Sequence, residues 1–98
     1  MMKRRRYLVC YDISDPDRLA RMGRRIIAYG YRMQYSVYIC DLDLMERVQL
    51  ISMVRDTINQ NEDSVAVIDL GDVSRTPERR IEWVGRAYPP PDVGATIW

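Results

Sequence analysis

The sequence predicts an α/β sandwich of the α+β kind, with helices on one face of a single sheet. Three observations lead there. Short apolar runs of strand-like composition alternate with two segments whose apolar residues recur every three or four positions. The order along the chain is strand, helix, strand, helix, strand, strand. A chain of 98 residues that is 47% apolar can build one core, though not a generous one. The expected division is a domain over 1–86 and a proline-spaced extension over 87–98.

The first strand covers 6–12, where Tyr7-Leu8-Val9-Cys10-Tyr11 is apolar on both faces and so predicts cover on both sides of the sheet. It ends at Asp12, the first acid in the chain. Ser14-Asp15-Pro16-Asp17 then reads as a helix start, with a capping side chain, proline in the first turn and an acid favouring the dipole. Leu19, Met22, Ile26 and Tyr29 form one apolar stripe, Arg18, Arg21 and Arg25 lie on another arc, and Gly30 is expected to close the helix as its C′ residue. A second strand is expected over 32–40, with Met33, Tyr35, Val37 and Ile39 alternating against a polar-aromatic face suited to an interface. Asp43 three residues before Glu46 marks the second helix, with Leu44, Val48, Ile51, Val54 and Ile58 as its buried stripe. A loop at 59–63 leads to a third strand at 64–70, stopped by Gly71-Asp72, and a fourth is expected at 80–84 before Gly85.

That order fits the ferredoxin-like βαββαβ sandwich. Helices would cover one sheet face, and a two-fold homodimer, sheet to sheet, is the simplest way to bury the other. Pro89-Pro90-Pro91 reads as a stiff spacer, and Ala95-Thr96-Ile97-Trp98 as a short strand added to an open sheet edge, of the same chain or, by preference, of the dimer mate.

Composition narrows the chemistry. The chain has no histidine, so imidazole acid–base catalysis is excluded and carboxylates, tyrosines, hydroxyls, thiols or a metal remain. Phenylalanine is also absent, so seven tyrosines and two tryptophans supply the aromatic bulk. Cys10 and Cys40 lie in apolar runs and read as reduced core thiols of a cytoplasmic protein. The basic opening has too short an apolar run behind it for a signal peptide, and no stretch approaches a membrane span. Residues 1–35 hold nine Lys/Arg against three acids, whereas the remainder holds six against eleven. Such segregation is consistent with a face that meets a polyanion, or with a solvated arginine-rich helix.

Three features now stand together: Tyr11-Asp12 ending the first strand, the arginine-studded helix up to Gly30, and Gly30-Tyr31-Arg32-Met33-Gln34-Tyr35-Ser36-Val37-Tyr38. In combination they resemble the CRISPR-associated protein 2 family, the small dimeric component of the spacer-acquisition machinery, along nearly the whole chain. The resemblance implies a ferredoxin-like homodimer in which Asp12 of both protomers binds Mg²⁺ (or Mn²⁺) and serves as the catalytic residue of an endonuclease on RNA or DNA. Two carboxylates with waters and a phosphate oxygen suit an octahedral Mg²⁺. The resemblance also places Tyr11 and Ser36 near the metal, gives Arg18, Arg21 and Arg32 to phosphates, and assigns Tyr38 to dimer-interface packing. The implied partners are duplex DNA or single-stranded RNA and an integrase of the CRISPR-associated protein 1 family, with no membrane.

Three functions follow as alternatives: a metal-dependent phosphodiesterase centred on Asp12, a non-catalytic dimeric adaptor that bridges integrase subunits and holds duplex DNA, and a ligand-sensing regulatory module. The third is disfavoured, since Asp12-Ile13-Ser14-Asp15-Pro16 stands where a glycine-rich loop would be needed. An RNA-recognition domain would want aromatics on the third strand, and 64–70 has none.

Overall fold

The computed structural model describes residues 3–75 and 81–87. The elements are β1 (Arg5–Asp12), α1 (Pro16–Ile26), β2 (Tyr31–Gln34), β3 (Val37–Leu42), α2 (Leu44–Thr57) and β4 (Ser64–Asp72), followed by a 3₁₀ turn at Val73–Arg75. The sheet order is β2-β3-β1-β4, and every pairing is antiparallel. Two interleaved strand–helix–strand units in that order make the ferredoxin-like sandwich, with the apolar β1 between two partners.

Each helix starts where a side chain can take up orphan backbone N–H groups. Asp15 accepts from the Arg18 N–H at 2.9 Å, and Pro16 opens α1 without losing a hydrogen bond. At α2 the capping box is complete: Asp43 accepts from the Glu46 N–H at 2.8 Å, and Glu46 accepts from the Asp43 N–H at 2.9 Å. Met22 and Ile26 of α1 pack with Leu50 and Val54 of α2 over Tyr7, Val9, Tyr11, Tyr38, Cys40 and Leu42. The opposite sheet face is carried by the alternate residues. There Leu8 faces Ile39 and Ile68, Cys10 faces Val37 and Ala66, and Asp12 faces Ser64 across neighbouring strands. No helix of the described residues is long and apolar enough to cross a membrane. Cys10 and Cys40 are free thiols, and burial, helped by the Asp41 charge, pushes the Cys40 thiol up to about 12.

Several expectations need correction. The single strand at 32–40 is a hairpin, because Gln34 pairs with Val37 and the chain reverses at Tyr35-Ser36. Among the described residues no non-glycine has positive φ, so this turn carries none of the Asn-Gly chemistry that announces a hairpin. The register shift between Arg32 and Gln34 also exchanges faces: Tyr38 and Cys40 point into the core, and Val37 and Ile39 lie on the opposite face. Residues 81–84 form no strand. Glu82 splits that apolar run, and Gly85 ends it with a left-handed φ of 89°. On α2 the stripe is rotated: Leu44 is 66% exposed and Val48 is exposed too, whereas Leu50, Val54 and Thr57 are buried. Gly30 does not adopt the left-handed C′ conformation. It permits close approach instead, since a Cβ there would overlap the Ile39 carbonyl oxygen and lie 2.6 Å from Cys40 Sγ. The expected C-terminal strand at 95–98, Arg80 and the Pro89-Pro90-Pro91 spacer lie outside the described residues.

Candidate functional site

Asp12 stands exposed at the carboxyl end of the central strand. The period of two puts it on the sheet face that the helices leave uncovered, in line with Leu8 and Cys10. Its cross-strand neighbour is Ser64, and the Tyr11 N–H donates to the Ser36 carbonyl at 3.0 Å, so the β2–β3 turn is tied to the end of β1. This bond brings Tyr11, Ser36, Tyr38 and Arg32 to the same end of the sheet as Asp12.

Behind that end is a ladder of rings and one cation. Tyr11 and Tyr38 are stacked at 6.1 Å between centroids with 21° between planes. Arg32 Nε donates to the Tyr38 hydroxyl at 3.2 Å, and its guanidinium lies 5.9 Å from the Tyr38 ring and 5.7 Å from that of Tyr35. Burial, with the neighbouring Tyr38 phenol, raises the Tyr11 hydroxyl above its ordinary range, so this group is a proton donor rather than a base. The hydrogen bond to Tyr38 likewise raises the Arg32 guanidinium. Tyr38, expected at a dimer interface, is 1% exposed and sits in this chain's own core.

The arginines divide into two groups. Arg18 grips Asp63 with Nε and Nη2 at 2.8 and 3.2 Å and reaches Glu62 at 3.2 Å, so it is engaged within the chain. Arg25 meets Asp56 and the Thr57 hydroxyl, each at 2.9 Å. Arg4, Arg5 and Arg6 pair with Glu46, Asp69 and Asp41. The charge segregation along the sequence is therefore used largely to join the two halves of the fold. Arg21 and Arg24 are exposed on α1 and have no carboxylate partner among the described residues. Sequence reasoning passed over Arg24, because nothing local separates it from Arg25; the difference is that Asp56 of α2 lies beside one and not the other.

Among the described residues no three of His, Cys, Asp and Glu come together to enclose a metal ion. Asp12 offers one carboxylate, and Ser64 across the strand offers a hydroxyl. These are hard oxygen donors of the kind that suits Mg²⁺ or Mn²⁺, but in one protomer they amount to half a site. A second copy of Asp12, brought in across the uncovered face, would supply the missing carboxylate.

The sequence model of the family described as CRISPR associated protein Cas2 matches residues 5–76, spanning β1 to the 3₁₀ turn. A Rhodospirillum rubrum relative named CRISPR-associated endoribonuclease Cas2 1 is 33% identical over 82 residues, covering 84% of this chain and 79% of its own. A Thermodesulfovibrio yellowstonii protein of the same name is 34% identical over 86 residues, 88% of each chain. The crystal structure of Streptococcus pyogenes Cas2 at pH 6.5 superposes with a TM-score of 0.73 at 29% identity, covering 82% of this chain and 99% of that one. A hypothetical protein from Thermus thermophilus superposes with a TM-score of 0.75 at 26% identity, covering 89% and 98%. With the family match running through every strand and both helices, this chain belongs to the CRISPR-associated protein Cas2 family.

Proposed function

We propose that the chain is a metal-dependent endonuclease of the CRISPR adaptation machinery, cleaving phosphodiester bonds of RNA or DNA as a homodimer with Asp12 of each protomer at its centre. The observation that carries this reading is the position of Asp12: an exposed carboxylate at the end of the central strand, on the uncovered apolar face. The endoribonuclease names of the relatives support it. Face-to-face pairing of two such sheets brings the first-strand ends toward one axis, which is what a shared cation requires. A bound Mg²⁺ or Mn²⁺ supplies polarisation of a phosphoryl oxygen and a water of lowered pKa. The chain's own part is positioning. Arg21, Arg24 and Arg32 hold phosphates, the stacked Tyr11 and Tyr38 keep the strand end rigid, and Tyr11 keeps its proton as a hydrogen-bond donor.

The test is cleavage of labelled single-stranded RNA and duplex DNA with Mg²⁺, Mn²⁺ or EDTA, comparing wild type with Asp12→Asn. The expected result is metal-dependent cutting that falls by at least about 100-fold in the variant. Equal cutting by both proteins would overturn the catalytic reading. A second reading, a dimeric adaptor that holds duplex DNA for an integrase of the CRISPR-associated protein 1 family, is favoured by Arg21 and Arg24, which have no carboxylate partner among the described residues and whose phosphate contacts do not need Asp12. Under it, Asp12→Asn leaves duplex affinity unchanged.

A further inference from the structure

The outer side of α2 carries a second surface, away from Asp12 and from the uncovered sheet face. Leu44, Val48 and Ile51 recur at i, i+4 and i+7, so they lie in one line along the helix. Leu44 and Val48, with Met45 beside them, are each more than half exposed. None of the three seats the helix, because Leu50, Val54 and Thr57 do that from another side. Such a line adds nothing to folding and lowers solubility, which is the mark of a contact surface. The capping box of Asp43 and Glu46 fixes the first turn, so the line is presented on an ordered helix end.

Charge says what fits there. A groove of about 320 Å³ follows the line, walled by Arg47, Val48, Ile51, Ser52 and Arg55, and no acid lines it. The two arginines stand about 12 Å apart along the axis, on either side of Ile51. Arg47 lies 5.7 Å from the Tyr7 ring, and Asp69, whose charge it feels, is taken up by Arg5. Arg55 is exposed and has no ion pair among the described residues.

Three other occupants fit less well. A second copy of α2 laid antiparallel about Ile51 sets Arg47 against Arg55 twice, and laid parallel it sets each arginine against itself. The segments of this chain outside the described residues, 1–2, 76–80 and 88–98, hold two acidic side chains in all, Glu78 and Asp92, in different segments. A phosphate backbone would match the arginines and leave the apolar line in water. A helix with apolar anchors at matching spacing and acids two turns apart meets both features.

We propose that the outer face of α2 docks an acidic amphipathic helix of a second protein, its apolar residues along Leu44, Val48 and Ile51 and its carboxylates on Arg47 and Arg55. Sheet-to-sheet pairing leaves this face outward, so the surface exists whether or not Asp12 cuts nucleic acid.

The test uses the full chain and two labelled synthetic helices of equal length, with leucine at i, i+4 and i+7 and either glutamate or lysine flanking it. Fluorescence anisotropy is expected to show the glutamate helix binding at least about 10-fold tighter, with the preference shrinking as salt rises. The variants Arg55→Glu and Val48→Ser change exposed side chains, and circular dichroism checks that each keeps its fold. Each is expected to weaken the glutamate helix by roughly 5-fold, and Arg55→Glu also to strengthen the lysine helix, with duplex DNA affinity unchanged. Equal affinity for the two helices, binding of neither, or glutamate-helix affinity within about two-fold of wild type in both variants would overturn the proposal. So would a lower sedimenting mass for Val48→Ser, which makes this the contact between copies, or a loss of duplex affinity in Arg55→Glu, which makes it a phosphate surface. None of these outcomes bears on cleavage by wild type and Asp12→Asn, so the proposed function stands or falls separately.

Discussion

Gly30 joins α1 to β2 where the backbone of β3 passes too close for any Cβ, with the Ile39 carbonyl and Cys40 Sγ in the way. The obstruction is largely backbone, which cannot turn aside as a side chain would. Gly30→Ala is therefore expected to destabilise by about 1–3 kcal/mol, the usual range for overpacking, read as a lower urea midpoint at unchanged slope. Asp63 makes a different kind of prediction. Its side chain is shut off from solvent, and the Arg18 guanidinium, then the Asn59 N–H, hold its carboxyl below the ordinary range. A carboxyl with a depressed folded pKa contributes stability above its unfolded value of about 3.9 and loses it as pH falls through the folded value. The Tm gap between wild type and Asp63→Asn should accordingly be widest near neutrality and close below about pH 4. Among the helix arginines, Arg24→Ala should lower the salt slope of duplex binding by about one counterion. Arg18→Ala should lower Tm and leave that slope alone, because its charge is already matched by Asp63 and Glu62.

The elements differ in how openly their sequences declare them. Both helix starts were legible because capping is local chemistry: Asp15 with Pro16, and Asp43 with Glu46, act within four residues of themselves. Removing the second cap with Asp43→Ala should cost about 1 kcal/mol in thermal or urea unfolding. The stripe of α1 was legible too, from spacing alone: Met22 and Ile26 are buried, and Leu19 and Tyr29 pack against the core. The stripe of α2 was legible only in part: Val54 is buried and Ile58 packs against the core, but Leu44 and Val48 are exposed and Leu50 is buried instead. Apolar residues occur almost all round this helix, and Thr57 is buried because its hydroxyl bonds the Met53 carbonyl at 2.8 Å and receives Arg25. The hairpin at Tyr35-Ser36 was hidden because its turn needs no glycine. The position of Asp12 could be read from the strand end, but the state of Arg18 could not, since Asp63 lies 45 residues away. Local signals gave the elements their edges, and long-range partners decided what each side chain was free to do.

At the scale of the whole molecule, the helices bury one sheet face and leave Leu8, Cys10, Ala66 and Ile68 on the other, with Ile68 44% exposed. An apolar face of this kind is most simply closed by its own copy. Ile68→Arg puts a charge in that face and is expected to halve the sedimenting mass at micromolar concentration; a variant still dimeric would place the contact elsewhere. If the site is shared across the axis, the same variant should lose cleavage together with dimerisation while retaining its fold by circular dichroism.

The placement of β1 has a consequence for how this protein comes into being. β1 is made before its partners, yet it lies inside the sheet between them. Its partners are β3, completed at Leu42, and β4, completed at Asp72, and the Arg5–Asp69 pair closes a separation of 64 residues. Until β4 has been synthesised, this central strand has one edge open, and Arg5 still lacks its acid. The nascent chain is thus a cationic, strand-prone segment beside a polyanionic ribosome for most of its synthesis. Closure of the sheet therefore waits on β4, whose Asp69 also neutralises Arg5, and products truncated before it cannot reach it.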